Sequence, residues 1–134
     1  MSRRAVQPDG WPRPKGYAHG VAARGVALHL AGQIGSRPDG TLVSDDLVRQ
    51  VRQALENIVA VLGAAGATTA HLVRLTWYLS DRDEYMSRQR EIGAVFREVI
   101  GTYDIAMSAV QVAALVEPGA LVEIEATAVV PDAL

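Results

Sequence analysis

The sequence predicts an α+β fold with the element order ββαβαββ, expected as one domain over residues 1–134. Three observations lead there. Short runs of β-forming residues stand at both ends of the chain. Two stretches between them carry apolar residues at helical spacing. The connections inside each terminal pair are hairpin-sized, which favours α+β over a wound parallel sheet.

Residues 1–16 hold Pro8, Pro12 and Pro14 with Gly10 and Gly16, the composition of an irregular lead-in arm. Tyr17–Ala22 and Val26–Ala31 read as strands, and Ala23-Arg24-Gly25 between them is short enough for a hairpin. In the second, Val26, Leu28 and Leu30 alternate with Ala27, His29 and Ala31. In Arg37-Pro38-Asp39-Gly40-Thr41 the proline presets φ and Gly40 accepts positive φ, which makes a turn. Ser44 is placed to cap a helix whose positive end holds Asp45 and Asp46. Leu47, Val51, Ala54, Leu55, Ile58, Val61 and Leu62 form its apolar stripe, and Gly66 is its stop.

Val73–Leu79 is β-branched and aromatic, a strand. Asp81 and Glu84 have the spacing of a capping box. Tyr85, Ile92, Val95, Phe96 and Val99 mark a second amphipathic helix that ends near Gly101. Ser108–Leu115 and Leu121–Val130 are strands joined through Val116-Glu117-Pro118-Gly119. In the last strand Val122, Ile124, Ala126, Ala128 and Val130 form a face suited to lie under the helices. Glu123, Glu125 and Thr127 share the other face with Leu121 and Val129. Two helices cover one face of such a sheet. The second is either solvated or covered by another subunit, and its apolar members favour the subunit.

Composition excludes several classes. Hydrophobic residues are 49% and charged residues 21%, the balance of a chain with a real core. The net charge of −2 supplies no basic field, so nucleic acid is not an expected partner. Twelve arginines stand beside one lysine, Lys15. With no cysteine there are no disulfides, thiolate nucleophiles or Cys-based metal sites. No apolar run suits a signal or a membrane span, and a cytoplasmic location is expected. His19, His29 and His71 lie too far apart to suggest metal ligation, and no phosphate-binding loop, HExxH or GxSxG motif occurs.

Few groups remain for chemistry. Tyr17 and His19 share one side of a predicted strand, where imidazole can move a proton and a phenol can orient a substrate. They equally suit a strand at a subunit edge. Glu123 and Glu125 share a face, and a partly desolvated carboxylate there can activate water. They equally suit a solvated strand. Arg74, Thr76 and Tyr78 project from one side of the middle strand, and Arg74 is either an anion ligand or an ordinary surface cation. Gln33, between two glycines, can present backbone donors to an anion, or be part of a plain turn.

Several segments carry a resemblance. Ala31-Gly32-Gln33-Ile34 follows the predicted hairpin. Arg52-Gln53-Ala54-Leu55-Glu56-Asn57 sits in the first helix, which ends Ala64-Ala65-Gly66. Val110-Gln111-Val112-Ala113-Ala114-Leu115 leads to Val122-Glu123-Ile124-Glu125-Ala126. Together they resemble the RidA family, also called YjgF or the L-PSP group, over roughly residues 15–131. The resemblance implies a chorismate-mutase-like fold, a homotrimer and small-ligand clefts between subunits. It also implies cofactor-free, metal-free hydrolysis of reactive imines and enamines to ammonia and keto acids. Other members are described as ribonucleases, translation inhibitors or chaperones.

Residue by residue, the resemblance assigns Tyr17 to the cleft wall, the Gly32 amide to the ligand and Glu123 to the water. His19 stands where glutamine is usual and adds a possible acid or base. Gln33 and Ala109 are carried over as further substrate contacts. The departure is Met107, which stands where deaminating members have the arginine that pairs with the substrate carboxylate. A thioether offers no charge and almost no hydrogen bonding, so a simple 2-imino acid loses its anchor. The readings are then a deaminase for an altered imine or enamine, a non-catalytic ligand-binding trimer, and last an RNA-directed activity.

Overall fold

The computed structural model describes residues 3–131. Its strands are β1 (Arg3–Val6), β2 (Gly20–Ala23), β3 (Val26–Ile34), β4 (Leu72–Leu79), β5 (Ala106–Gln111) and β6 (Val122–Val130). Its helices are α1 (Leu47–Ala64), α2 (Arg82–Ser87) and α3 (Gln89–Val99). The main sheet has the order β3-β6-β4-β5, and β1 pairs with β2 in a separate antiparallel ribbon. β6 runs antiparallel to β3 and to β4, while β5 lies parallel to β4.

The alternation in β6 has the expected result. Val122, Ile124, Ala126, Ala128 and Val130 are buried, and the residues between them are half-buried. Leu72, Leu75, Trp77 and Leu79 of β4 join the same core. The α1 stripe closes over them with Leu47, Val51, Ala54, Leu55, Ile58 and Leu62, while Val61, expected in the stripe, turns outward and is exposed; α3 adds Ile92, Val95 and Phe96. Burial of this kind contributes about 25 cal/mol per Å² of apolar surface. Gly66 ends α1 with φ +74°, and the Ala67 amide donates to Leu62 O at 2.8 Å.

Neither predicted terminal hairpin forms. Gly25 has φ +147°, and a Cβ there would collide with the Val130 carbonyl. The chain therefore passes from the small ribbon into the main sheet instead of folding back. β2 takes its partner from Arg3–Val6, which belongs to a strand and not to an irregular arm. At the other end β6 is inserted between β3 and β4, so β5 takes the edge beside β4. A parallel neighbour needs a crossover, and α2 and α3 provide it. The second predicted helix is two helices, broken at Arg88 with φ −110° and ψ 19°. His71 is half-buried, and its Nδ1 accepts from the Thr68 amide at 3.0 Å.

Asp46, not Ser44, caps α1. Its carboxylate accepts from the Arg49 amide at 3.0 Å, and Ser44 Oγ accepts from the Asp46 amide one step earlier. The other Asp46 oxygen accepts from Arg88 at 3.1 Å, and Arg88 also holds Glu91. The Arg49 amide first, and then Arg88, hold the Asp46 carboxyl below its ordinary pKa. Asp46→Ala is expected to cost about 1–2 kcal/mol and roughly 4–8 °C in Tm. A group depressed on folding stabilises above its unfolded pKa. The wild-type advantage should therefore be full above about pH 5 and fade as pH falls below about 4. Paired melts of wild type and variant from pH 3 to 7 measure it.

Candidate functional site

The edge of the main sheet carries the first group of candidate residues. The Ala18 amide donates to Ile105 O at 2.9 Å, and Ala18 makes a single parallel bridge with Ala106. This fixes Gly16–His19 beside β5. The predicted strand Tyr17–Ala22 shortens to β2, so Tyr17 and His19 lie before it, on either side of the bridging Ala18. Their rings meet edge to face at 5.7 Å, and His19 meets Trp11 in the same way at 5.1 Å. His19 is thus held in a short aromatic stack on a surface hollow that Tyr17 also lines.

Tyr17 also lines a cavity of about 320 Å³ on the helix side of the sheet. β5 pairs in register with β4, so Met107 lies opposite Leu75 and Ala109 opposite Trp77. Leu75 and Trp77 are core residues under the helices, and Met107 and Ala109 turn the same way. The cavity floor is Trp77 and Phe96, 3% and 5% exposed. Its half-buried walls are Tyr85, Tyr103 and Met107, and its exposed mouth is formed by Lys15, Tyr17 and Ala109. Phe96 and Tyr103 stack at 5.8 Å and 18°, and Trp77 lies 6.2 Å from Phe96.

The second group stands at the far side of the sheet. Between Leu30↔Ala126 and Gln33↔Ile124, the pair Ala31-Gly32 faces Glu125 alone, which is a β-bulge. A Cβ on Gly32 would fall on the Glu123 carboxylate. Glycine is therefore what allows Glu123 to lie across the strand at this point. Gln33 does not turn its amide to this carboxylate. Its Nε2 donates to Ala31 O at 3.2 Å. Glu123 is paired in register with Ile34 on one side and Tyr78 on the other. Its neighbour Glu125 accepts from the Tyr78 hydroxyl at 2.5 Å, and that bond raises the Tyr78 pKa. Arg74, Thr76, Glu125, Thr127 and His29 line a hollow on this open face.

The candidates thus form two separate clusters. Tyr17, His19, Met107 and Ala109 gather at the β5 edge. Gly32, Gln33 and Glu123 gather at the bulge, with Glu123 on the sheet face opposite to Met107. Gly32 and Glu123 line neither of the two hollows that hold Tyr17. Sequence reading missed the cavity floor. Tyr85 and Phe96 fit the apolar stripe of a helix and Trp77 the alternation of a strand, so nothing local set them apart from core. Among the described residues no group of three His, Asp or Glu is placed to hold a metal ion, and no helix is long and apolar enough to cross a membrane.

An α+β sheet under helices on one face, with the candidate residues in two separate clusters, defines the class. Residues 12–130 match the family model described as Endoribonuclease L-PSP. The chain belongs to this family, the Rid/YjgF group, as the sequence resemblance implied. It is 38% identical over 119 residues to a RutC family protein of Pyrococcus horikoshii, covering 87% of this chain and 90% of that one. It is 34% identical over 113 residues to the 2-iminobutanoate/2-iminopropanoate deaminase of Salmonella typhimurium, covering 84% and 86%. A Rid family protein of unknown function from Yersinia pestis superposes with a TM-score of 0.85 at 36% identity, covering 97% of this chain and 100% of that one.

Proposed function

We propose that the protein is a hydrolytic deaminase of imines, enamines or related small C=N compounds, working in clefts between the subunits of a homotrimer. The observation that carries this reading is the Glu123 carboxylate laid over Gly32, on the opposite sheet face from Tyr17 and Met107. One chain holds two halves of a site that do not meet. A second copy brings one chain's Glu123 to another's Tyr17, and closed symmetry repeats the contact. The relatives named 2-iminobutanoate/2-iminopropanoate deaminase support the chemistry.

In this cleft Glu123 takes a proton from water as the oxygen adds to the C=N carbon. The nitrogen is protonated, the tetrahedral adduct collapses, and ammonia leaves a carbonyl product. Tyr17 and the Gly32 amide hold the substrate, and His19 is within its aromatic stack to pass a proton. No step calls for a cofactor. Met107 shifts preference to a substrate more apolar at that end. The same residue also favours a second reading, a trimer that binds such a ligand without turning it over.

The test is ammonia release from imines generated in situ by an amino-acid oxidase, with wild type beside Met107→Arg. Faster release with wild type than without protein supports the deaminase. If wild type is inert and Met107→Arg active, the scaffold serves another substrate. If both are inert, the binding-only trimer is the better reading. Mass in solution tests the assembly, and a monomer at micromolar concentration overturns the shared cleft.

A further inference from the structure

We propose that the cavity behind Met107 takes the ring of an aryl-substituted 2-oxo or 2-imino acid, with the Lys15 ammonium at the mouth pairing with its carboxylate. This rests on the cavity being the substrate cleft proposed above, and adds the substrate class and its orientation.

Lys15 is the only charged residue that lines the cavity and the only lysine of the chain, while the Arg97 guanidinium stands behind the wall, donating to the Tyr103 hydroxyl at 3.3 Å. Lys15 enters none of the ion pairs among the described residues, so its charge is free to meet a ligand. It is exposed, while Trp77 and Phe96 are deeply buried. The cation therefore sits at the mouth, and the inner end of the cavity is aromatic and uncharged. Gly16, with φ +83°, turns the chain between Lys15 and Tyr17.

Met107 sets the character of the cavity wall. An arginine there would put a buried-side charge in the wall and draw an anion inward. A thioether instead continues the surface of Trp77, Phe96 and Tyr103 and makes favourable contacts with aromatic edges. Burying a carboxylate against these groups with no cation carries a large desolvation cost. An anionic substrate must then enter with its apolar end first. About 320 Å³ is at the lower end of the range for small-molecule pockets and suits a single ring. In this pose the carbon bearing nitrogen or oxygen stands near Tyr17 and Ala109, between the ring and the carboxylate. A lysine supplies a point charge without fixed geometry, which tolerates different acids at the mouth.

Isothermal titration of the full chain tests this with three probes: phenylpyruvate, pyruvate and phenylacetone. Phenylpyruvate carries ring and carboxylate, pyruvate only the carboxylate, and phenylacetone only the ring and ketone. Phenylpyruvate is expected to bind at least tenfold more tightly than pyruvate. Lys15→Met should weaken phenylpyruvate at least fivefold and leave phenylacetone within twofold, and Lys15→Arg should restore most of the loss. Equal affinity for phenylpyruvate and pyruvate overturns the ring site. An unchanged phenylpyruvate affinity in Lys15→Met overturns the anion partner, as does an equal loss for both aryl probes. Binding is read without turnover. Failure here with ammonia release intact removes the substrate class alone, and the expected binding without ammonia release removes the deaminase alone.

Discussion

Gln50→Leu is expected to cost about 2–3 kcal/mol and to lower Tm by roughly 8–12 °C. Gln50 is fully buried in α1, the one buried polar or charged residue among the described residues. Its Nε2 donates to Ser44 O at 2.9 Å and to Gly119 O at 3.0 Å, and its Oε1 accepts from the Leu121 amide at 2.8 Å. One amide thereby satisfies backbone groups from the loop before α1 and from the loop that leads into β6. Leucine keeps the volume but leaves all three backbone groups without that partner. The Gly119 carbonyl lies in an exposed stretch and can be rehydrated, which keeps the expected cost below three full desolvation penalties.

Gln50→Glu separates shape from hydrogen bonding. It retains an acceptor for Leu121 but loses both donated bonds and buries a charge, so its loss at pH 7 should equal or exceed that of leucine. Thermal melts of the three proteins measure the order. A leucine variant within 2 °C of wild type would show that the amide only fills space. Gly35 sets the same contact from the other side, since a Cβ there would lie 2.5 Å from Gln50 Cα. α1 crosses close over the end of β3 because that position has no side chain.

These contacts explain how far the sequence was legible. Periodicity is a property of one element against one apolar layer, so the α1 stripe, the β6 alternation and the Gly40 and Gly66 turns could be read directly. Pairing partners are not local. The Ala23-Arg24-Gly25 connection has hairpin length, yet the close packing of Gly25 on the Val130 carbonyl sends the chain into another sheet. The linker before β6 also suits a hairpin, and only the full sheet shows that β6 belongs between β3 and β4. The candidate site was legible as separate residues. Tyr17 with His19, and Glu123 by its strand face, follow from a period of two. That Glu123 lies over Gly32 depends on a bulge, which no alternation pattern records. That Trp77, Phe96 and Tyr103 floor a cavity depends on space left unfilled, and apolar spacing cannot tell a filled core from an empty one.

Glu123→Ala is expected to abolish imine hydrolysis by about a hundredfold or more, the ordinary contribution of a positioned general base. Glu123→Gln keeps the shape and should lose nearly as much, since an amide cannot take the proton from water. Neither change should lower Tm by more than a few degrees, because the side chain is half-buried on the open face and lies outside the core. Gly32→Ala is the sharper probe. The added methyl would occupy the place of the Glu123 carboxylate, and that carboxylate is the flexible end of a side chain, so it moves aside at little cost in stability. If the proposed reaction holds, a displacement of this kind should lower kcat about tenfold while the fold persists. The proposed shared cleft adds a condition that separates catalysis from support. Mixed trimers of Glu123→Ala and Tyr17→Ala chains should recover part of the activity that each homotrimer lacks, because some clefts then receive an intact Glu123 from one chain and an intact Tyr17 from another. Recovery after mixing and reassembly is the result expected. Full activity in Glu123→Ala would remove the carboxylate from the chemistry, and absence of recovery in mixed trimers would return both residues to a single chain.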